Sequence, residues 1–403
     1  MRDLAKTRED FTVLSKNKAS APIYFDSACM SLKPDSVVKA MEEYYFNFPA
    51  CGNRGVYKMA DKVTKKVKET RKIVAGFINA KTENEIIFTR NTTEGINLLA
   101  NSFGFVKGDV VLISDKEHNS NLIPWLVLRD KIGIEVKICY SKEDNTFDLE
   151  KFSELVKGVK LVALGYSSNL DGVSIPAKEI IEIAHKNGAL VFLDSAQIAV
   201  HKKIDVKDLD VDFLAFSGHK MLGPTGTGVF YGKYKLLENL APFIVGGDTV
   251  EVSRYDSFEL KQAPGKFEAG LQDFAGIIGL AEAVKYLENV GFDEIEKHEF
   301  KLNKYITDEL SKFTQIKIIG PKDASLRSGI INFYIENTDM HKFATILDSM
   351  GGIAIRAGRH CVHSWFENKK LLNSARVSLC FYNTKEEAEI FITNLTKILK
   401  IIS

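Results

Sequence analysis

The chain has 403 residues, which is long enough for two domains if about 150 residues per domain serves as a soft guide. Its composition, 45% hydrophobic and 27% charged with 28 Gly and 9 Pro, excludes a disordered or collagen-like chain. The formal net charge of +1, from 54 basic and 53 acidic residues, gives no electrostatic reason to expect a nucleic-acid partner or a membrane surface.

The N-terminal stretch from Met1 to Lys18 mixes charges throughout and contains no apolar run of the kind found in signal peptides. No segment approaches the roughly 20 apolar residues that span a bilayer. The cysteines are odd in number and show no paired spacing, which fits a reducing compartment better than a disulfide framework. We therefore expect a cytoplasmic protein that binds neither membranes nor nucleic acid. The cysteines are Cys29, Cys51, Cys139, Cys361 and Cys380.

From about residue 85 to residue 232, short β-rich runs alternate with amphipathic stretches. Several runs are nearly continuous Val, Ile, Leu and Phe, as expected for strands covered by helices on both faces. This pattern predicts a layered α/β domain with a mostly parallel seven-stranded sheet. The runs are Glu85–Thr89, Val110–Ser114, Val136–Tyr140, Leu161–Ser167, Leu190–Asp194, Phe213–Ser217 and Gly228–Tyr231.

After about Gly291 the pattern changes to long helices between short strands, including one expected strand over Ile353–Arg356. This indicates a smaller α+β domain. We place the large domain at residues 22–290 and the small domain at residues 1–21 and 291–403. The segment before Ile23 is expected to pack against the small domain.

Polar residues follow five of the predicted strands, at the point where each strand ends. In open parallel sheets, ligands collect at the carboxyl ends of the strands, so these residues are expected to share one site. They are Asn91, Thr92 and Thr93 after the first strand, then His118, Asn169, Asp194 to Gln197, and Ser217 to Lys220.

Lys220 lies at a strand end, beside His219 and before the glycine-rich turn Gly223–Gly228. A lysine there can condense with an aldehyde once desolvation lowers its pKa, although a lone lysine is most often a surface residue. Asp194 lies 26 residues upstream of Lys220, a spacing that suits one crossover helix between adjacent parallel strands. Its carboxylate could pair with a protonated pyridine nitrogen, or it could merely cap the following helix.

Thr92-Thr93-Glu94-Gly95 opens an apolar-periodic stretch. Hydroxyls and free N–H groups at a helix start suit a phosphate, and a plain helix cap is the alternative. The turn Gly223–Gly228 runs into a strand rather than a helix, which excludes a dinucleotide-binding loop.

The motif Phe216-Ser217-Gly218-His219-Lys220 followed by Gly-Pro-Thr-Gly, with Thr92–Asn97 and Glu117-His118, resembles the class V aminotransferase family. More narrowly, it resembles the SUF-system (group II) cysteine desulfurases. The likeness extends from about Tyr24 to Ile398 and includes Phe267–Gly270 and Arg376–Leu379. It implies fold type I of the enzymes that depend on pyridoxal 5'-phosphate (PLP), and a homodimer.

The resemblance also implies roles for individual residues. Lys220 would carry PLP as a Schiff base and shuttle protons. Asp194 would bind the pyridine nitrogen, Gln197 the phenolic oxygen, and His118 would stack on the ring and take part in acid–base steps. The phosphate would be held by Thr92, Thr93, Ser217 and His219, and the substrate carboxylate by Asn169 and Arg376, the latter through a two-pronged ion pair.

Cys361 matches the catalytic cysteine of that family, and its basic neighbours favour a thiolate. Such a thiolate can attack the sulfur of a bound cysteine and become a persulfide. An inert buried cysteine is one alternative. A metal site formed with His360 and His363 is another, but three ligands within four residues strain tetrahedral geometry, so we predict no metal.

Several positions depart from the family pattern. Leu271 stands where a threonine usually reaches the phosphate across the dimer, and Gln272 could replace that contact. Ala357 replaces a common threonine, while Arg359, Tyr166 and Asn53 stand where histidines are frequent. Arg359 could bind a second acidic group of a larger substrate.

The sequence thus predicts a cysteine desulfurase that converts L-cysteine to L-alanine and supplies sulfur, through a Cys361 persulfide, to an acceptor protein for iron–sulfur clusters or other biosynthesis. A selenocysteine lyase, a cysteine C–S lyase or an aminotransferase with the same cofactor is the nearest alternative. A non-catalytic sulfur-relay scaffold is the alternative from another class.

Overall fold

The computed structural model describes residues 4–16, 21–53 and 55–402. Its strands are β1 Ile23–Tyr24, β2 Ile86–Thr89, β3 Val110–Ser114, β4 Glu135–Cys139, β5 Leu161–Gly165, β6 Leu190–Asp194, β7 Phe213–Ser217, β8 Gly228–Gly232, β9 Val250–Ser253, β10 Phe258–Leu260, β11 Ile316–Ile319, β12 Ile330–Ile335, β13 Ile353–Ala354, β14 Arg356–Gly358 and β15 Ser374–Ser378.

Its helices are α1 Leu4–Thr7, α2 Thr12–Ser15, α3 Asp35–Asn47, α4 Lys58–Phe77, α5 Thr92–Ser102, α6 Ile123–Ile132, α7 Leu149–Leu155, α8 Ala177–Lys186, α9 Val206–Leu209, α10 Tyr234–Asn239, α11 Phe274–Val290, α12 Phe292–Leu310, α13 Met340–Gly351, α14 His363–Lys369 and α15 Lys385–Ile402. None of these described helices is long and apolar enough to cross a membrane.

The largest sheet in the described part of the chain has seven strands in the order β2-β8-β7-β6-β5-β3-β4. Strand β8 runs antiparallel to both of its neighbours, β2 and β7, while the remaining pairs are parallel. The other six strands therefore point the same way, and their carboxyl ends lie along one edge. The predicted α/β fold with a mostly parallel seven-stranded sheet is confirmed.

Both faces of this sheet are buried. Successive side chains of a strand point to opposite faces, so Leu193 and Leu214 belong to one apolar cluster while their neighbours Phe192 and Phe213 belong to the other. Each such side chain stabilises the fold by about 1.5–3 kcal/mol through burial. The double burial explains why the strands are almost continuously hydrophobic in sequence.

A second, antiparallel sheet in the described residues has the order β11-β12-β15-β14 and packs against α12, α13 and α15. The single strand expected over Ile353–Arg356 is wrong. The chain there forms two short strands with different partners, because β13 pairs with β1 and β14 pairs with β15. The break at Ile355 turns the chain toward the loop that carries Cys361.

The N-terminal segment contacts both parts of the molecule. The ring of Phe11 lies 6.0 Å from that of Tyr286 in α11 and 5.0 Å from that of Tyr382 near the C-terminus. Leu14 belongs to the cluster beneath the large sheet, whereas Ile23 joins the cluster of the smaller sheet. The domain limits 22–290, with 1–21 and 291–403, remain a prediction, and residues 1–3, 17–20, 54 and 403 of that division lie outside the described residues.

Candidate active site

One cavity of about 270 Å³ opens at the carboxyl edge of the large sheet. Its volume is near the lower limit, about 300 Å³, of small-molecule sites. The five predicted strand ends reach it together, as their parallel direction requires. All the site residues chosen from the sequence contribute to the lining: Thr92, Thr93, His118, Asn169, Asp194, Gln197, Ser217, His219, Lys220, Cys361 and Arg376.

Lys220 ends a single helical turn, Gly218–Lys220, that directly follows β7. Burial lowers the pKa of its amine, and the positive charge of Arg376 adds to this, while Asp194 partly opposes the shift. A lowered pKa increases the fraction of neutral amine, which is the form that attacks a carbonyl or accepts a proton.

The turn that carries Lys220 is fixed by residues that the sequence reasoning missed. The His219 carbonyl accepts hydrogen bonds from Ser31 N at 3.0 Å, Ser31 Oγ at 3.1 Å and Lys33 Nζ at 3.1 Å. Burial lowers the pKa of Lys33 to about 8. Only tertiary structure brings the segment after β1 next to this turn, so no local pattern identified Ser31 or Lys33.

Asp194 ends β6 and is buried, and its Oδ1 accepts a hydrogen bond from Ala196 N at 3.0 Å. Burial raises the pKa of this carboxyl. A cation placed against it would restore the carboxylate, which is the behaviour expected of a partner for a pyridinium nitrogen. Gln197 is held nearby, with its Nε2 donating to the Ala28 carbonyl at 2.9 Å.

Hydroxyl groups at the start of α5 line another part of the cavity. Asn91 is the N-cap of this helix, so the alternative that Thr92 or Thr93 is the cap is wrong. The Thr92 and Ser217 hydroxyl oxygens lie 2.7 Å apart, and Thr92 N donates to Ser217 Oγ at 2.8 Å. Hydroxyls and N–H groups at the start of an 11-residue helix suit a phosphate.

The ring of His118 is kept neutral. Its Nδ1 accepts a hydrogen bond from Ser120 N at 3.0 Å, which leaves the proton on Nε2. Burial, followed by the charges of Lys220 and Arg376, lowers its pKa to about 3. A neutral ring suits stacking on a planar cofactor and donation from Nε2.

Glu117 is a carboxyl to which the sequence assigns no role, although it belongs to one of the motifs. It is buried, and it accepts hydrogen bonds from Ser114 Oγ at 2.5 Å, Asn121 Nδ2 at 2.7 Å and Gly165 N at 2.9 Å. Burial raises its pKa to about 7. These bonds tie the ends of β3 and β5 together, which fixes the backbone that carries His118.

Arg376 lies in β15 and is only 2% exposed. Its Nη1 donates to the Asn169 carbonyl at 2.8 Å and its Nη2 lies 3.5 Å from Asp26 Oδ1. Its Nε is buried and has no partner among the residues the structure describes. A buried guanidinium with an unpaired donor is suited to bind a carboxylate.

Cys361 is exposed and lines the same cavity as Lys220. Val362 N donates to the Arg359 carbonyl at 2.9 Å, and the two residues between them, His360 and Cys361, have φ angles of 50° and 59°. The nucleophile candidate therefore lies in a tight turn with both central residues left-handed, a conformation that favours Asn and Gly over ordinary residues.

The metal alternative has no support from the geometry. His360 is buried and bonds Ser374 Oγ at 2.9 Å, while His363 Nδ1 lies 2.9 Å from Asn119 Nδ2. Across residues 4–16, 21–53 and 55–402, no group of three or more His, Cys, Asp or Glu side chains is placed to hold a metal.

Two of the departures from the family pattern, Arg359 and Leu271, lie outside the cavity. The Arg359 guanidinium forms an ion pair with Glu367 and donates to the Leu372 carbonyl at 3.2 Å, so it does not turn toward the cavity lining. Leu271 is 73% exposed, and Gln272 Nε2 donates to the Ala269 carbonyl at 3.2 Å. Neither residue contributes to the phosphate end of this cavity.

The described side chains fit PLP. An amine of lowered pKa, a buried carboxylate, a neutral imidazole and a hydroxyl-rich helix start surround one cavity, and each matches one part of the cofactor: aldehyde, pyridine nitrogen, ring and phosphate.

Comparison with known proteins places this site in a family. The model of the family described as aminotransferase class-V matches residues 23–391. A probable cysteine desulfurase of Halalkalibacterium halodurans is 41% identical over 393 residues, which cover 96% of each chain. Among solved structures, the apo cysteine desulfurase of Thermococcus onnurineus NA1 superposes with a TM-score of 0.95 at 37% identity, covering 99% of both chains.

The cysteine desulfurase CsdA of Escherichia coli, solved with an S-sulfonic acid, has a TM-score of 0.92 at 32% identity and covers 100% of this chain and 99% of its own. These matches extend over nearly the full length, as the sequence motifs indicated. The fold is PLP-dependent fold type I, and the chain belongs to the aminotransferase class-V family.

Proposed function

We propose that this protein is a PLP-dependent cysteine desulfurase that converts L-cysteine to L-alanine and keeps the sulfur on Cys361 as a persulfide. The observation that carries the proposal is that Cys361 and Lys220 line one cavity. The thiol of Cys361 and the amine of Lys220 can therefore reach the same bound amino acid. The reaction balances as L-cysteine plus the Cys361 thiol giving L-alanine plus the Cys361 persulfide.

The cofactor is held by residues from four strand ends. Lys220 would hold its aldehyde group, Asp194 would pair with the pyridine nitrogen, and Gln197 would donate to the phenolic oxygen. Thr92, Thr93, Ser217 and His219 would hold the phosphate, and His118 would pack against the ring. When bound, PLP supplies an electron sink for the negative charge that develops at the substrate Cα.

The substrate carboxylate pairs with Arg376, whose buried Nε is available as a donor. Asn169 assists through its side-chain amide, although Nδ2 already donates to the His360 carbonyl at 2.6 Å. Because an amide nitrogen carries two hydrogens, Asn169 can serve the carboxylate and the Cys361 turn at once.

Two side chains move protons and one attacks sulfur. Lys220 Nζ, with its lowered pKa, accepts the proton from Cα and can return it to the carbon skeleton. The neutral His118 supplies a proton from Nε2. Cys361 Sγ attacks the substrate sulfur, the C–S bond breaks, and the electron pair remains with the three-carbon fragment, which becomes alanine after protonation.

The nearest alternative is a lyase of the same family that releases sulfide or selenide directly. Such an enzyme needs no protein thiol, and an exposed cysteine in a turn at the mouth of the cavity favours the desulfurase. The non-catalytic relay scaffold is disfavoured because it does not require Lys220, Asp194, Gln197 and Arg376 around one cavity.

We also propose that the protein is a cytoplasmic homodimer that passes its sulfur to an acceptor protein, for iron–sulfur cluster assembly or another biosynthesis.

Support for a dimer comes from exposed apolar side chains on and around the hairpin β9–β10. Val245, Tyr255, Phe258 and Leu271 are 63%, 113%, 66% and 73% exposed. Sedimentation equilibrium tests the dimer, and a single species at the 45.1 kDa monomer mass would contradict it.

The function is tested by mass spectrometry of the purified protein after incubation with L-cysteine, with alanine quantified in parallel. We expect the Cys361 peptide to gain about 32 Da, one sulfur atom. Cys361→Ala should lose alanine formation, while Cys139→Ala, at a buried cysteine away from the cavity, should keep it. Sulfide or pyruvate that is unaffected by Cys361→Ala would assign the protein to the lyases instead.

A further inference from the structure

The turn that carries Cys361 has an unfavourable backbone conformation. His360 and Cys361 both have positive φ, at 50° and 59°, and neither is glycine or asparagine. A left-handed conformation costs an ordinary residue roughly 1–2 kcal/mol and persists only where the surroundings fix it. Contacts from outside the turn must therefore hold Cys361 in place.

Those contacts come from two strand-end loops of the large sheet. Asn169 Nδ2 donates to the His360 carbonyl at 2.6 Å, and Asn119 N donates to the Cys361 carbonyl at 2.7 Å. Both carbonyls at the centre of the turn are thus bonded to the part of the molecule that holds the cofactor residues.

Asn119 makes a second contact with the same loop. Its Nδ2 lies 2.9 Å from His363 Nδ1, two residues after Cys361. Asn119 therefore bonds the loop at two points, by a backbone bond to the Cys361 carbonyl and by a side-chain bond to His363. It also directly follows His118, so one short segment connects the imidazole in the cavity to the nucleophile loop.

We propose that Asn119 and His363 form a brace that positions the Cys361 thiol for attack on the substrate sulfur. The inference rests on the proposed function. Asn119 is a positioning residue, because it acts through the loop and does not contact the substrate. The brace concerns the sulfur step alone, since Lys220 and Arg376 are held by other contacts.

The test separates the sulfur step from the Cα step in the PLP-loaded enzyme. Asn119→Ala removes the side-chain bond and keeps the backbone donor. We expect persulfide formation on Cys361, followed by quenched-flow mass spectrometry, to slow about fivefold, the effect of one neutral hydrogen bond. Exchange of the substrate α-proton with D₂O and the KM for L-cysteine should stay within about twofold, because the residues at Cα are unchanged.

Four further variants make the result specific. His363→Ala removes the same bond from the other side, so it should slow the reaction equally, and the double variant should be no slower than either single one. Asn119→Asp, whose carboxylate can accept a hydrogen bond from His363 Nδ1, should recover most of the rate. Asn101→Ala is the control, because its amide makes a comparable bond to the Asn97 carbonyl on the surface of α5.

The outcomes distinguish the two hypotheses. If the wild-type protein forms no Cys361 persulfide, the proposed function itself is wrong. Suppose instead that the wild-type protein does form the persulfide. The proposed brace is then wrong if Asn119→Ala and His363→Ala both form it at the wild-type rate. It is also wrong if both variants slow α-proton exchange as much as they slow persulfide formation. Should Asn119→Ala fail to fold, the exposed His363 gives the same test from the α14 side.

Discussion

The Lys220 side and the Cys361 side of the cavity are built in different ways. Lys220 follows a regular buried strand, in a turn whose carbonyl at His219 accepts three donors. Cys361 itself is exposed and lies in a left-handed turn that bonds the sheet through the two asparagines described above. Long-range hydrogen bonds hold both turns, but the Lys220 turn continues a regular buried strand, whereas the Cys361 turn has an unfavourable backbone conformation. The comparison teaches that the Cα chemistry and the sulfur chemistry can be altered separately.

The largest effect is expected from Lys220→Ala. This change removes the amine that accepts the Cα proton, so alanine formation should fall by about 10²–10⁴-fold, the usual contribution of a positioned acid–base group. Quantification of alanine checks this, with the exposed Lys285→Ala as a control. Alkylation of Cys361 by iodoacetamide should be unchanged, because the Cys361 turn has its own contacts. A variant that keeps a tenth of the wild-type rate would contradict the assignment.

An intermediate effect is expected on the pH dependence of the free energy of unfolding, and it comes from His118. Its folded-state pKa of about 3 lies below the unfolded value of about 6.5, so between these values the unfolded chain binds one more proton. As the pH is lowered from about 6 to about 4, the wild-type free energy of unfolding should therefore fall relative to that of His118→Asn. The expected fall is about 1.4 kcal/mol for each pH unit.

Urea unfolding at pH 4, 5, 6 and 7 measures that difference, with the exposed His341→Asn as the control. Equal slopes for wild type and His118→Asn would show that His118 is not held neutral in the cavity.

The smallest effect is expected from Arg359→Ala. Its guanidinium pairs with Glu367, which is 69% exposed, and such surface pairs contribute about 0–1 kcal/mol. Persulfide formation from L-cysteine should stay within about twofold of wild type. A tenfold rise in KM would instead indicate that Arg359 turns inward and binds substrate, as the sequence had left open.

The sequence predicted the Lys220 side well, because parallel strands covered on both faces give continuous apolar runs and their carboxyl ends must meet. Thr92, His118, Asp194 and Lys220 could be placed at one edge by that reasoning alone. Lys33 and Ser31 could not, since no periodic pattern brings the segment after β1 beneath the Lys220 turn. Sequence showed Glu117 as a motif residue, but its raised pKa depends on burial that only the fold creates.

Less of the Cys361 side could be predicted from the sequence. The basic neighbours Arg359 and His363 were visible, but the structure pairs one with Glu367 and the other with Asn119. The break between β13 and β14 was missed, because the run Ile353–Arg356 looks like one strand until its two halves find different partners. The left-handed turn lacks the Asn-Gly or Gly-Gly pair that usually marks it, since its central residues are His360 and Cys361.

The most direct test of the account follows deuterium exchange at Cα of L-cysteine in D₂O, together with alanine formation, for wild type, Cys361→Ala and Lys220→Ala. We predict that Cys361→Ala exchanges the α-proton at close to the wild-type rate but forms no alanine, and that Lys220→Ala does neither. Loss of exchange in Cys361→Ala, or continued alanine formation in that variant, would contradict the division of chemistry between the two sides of the cavity.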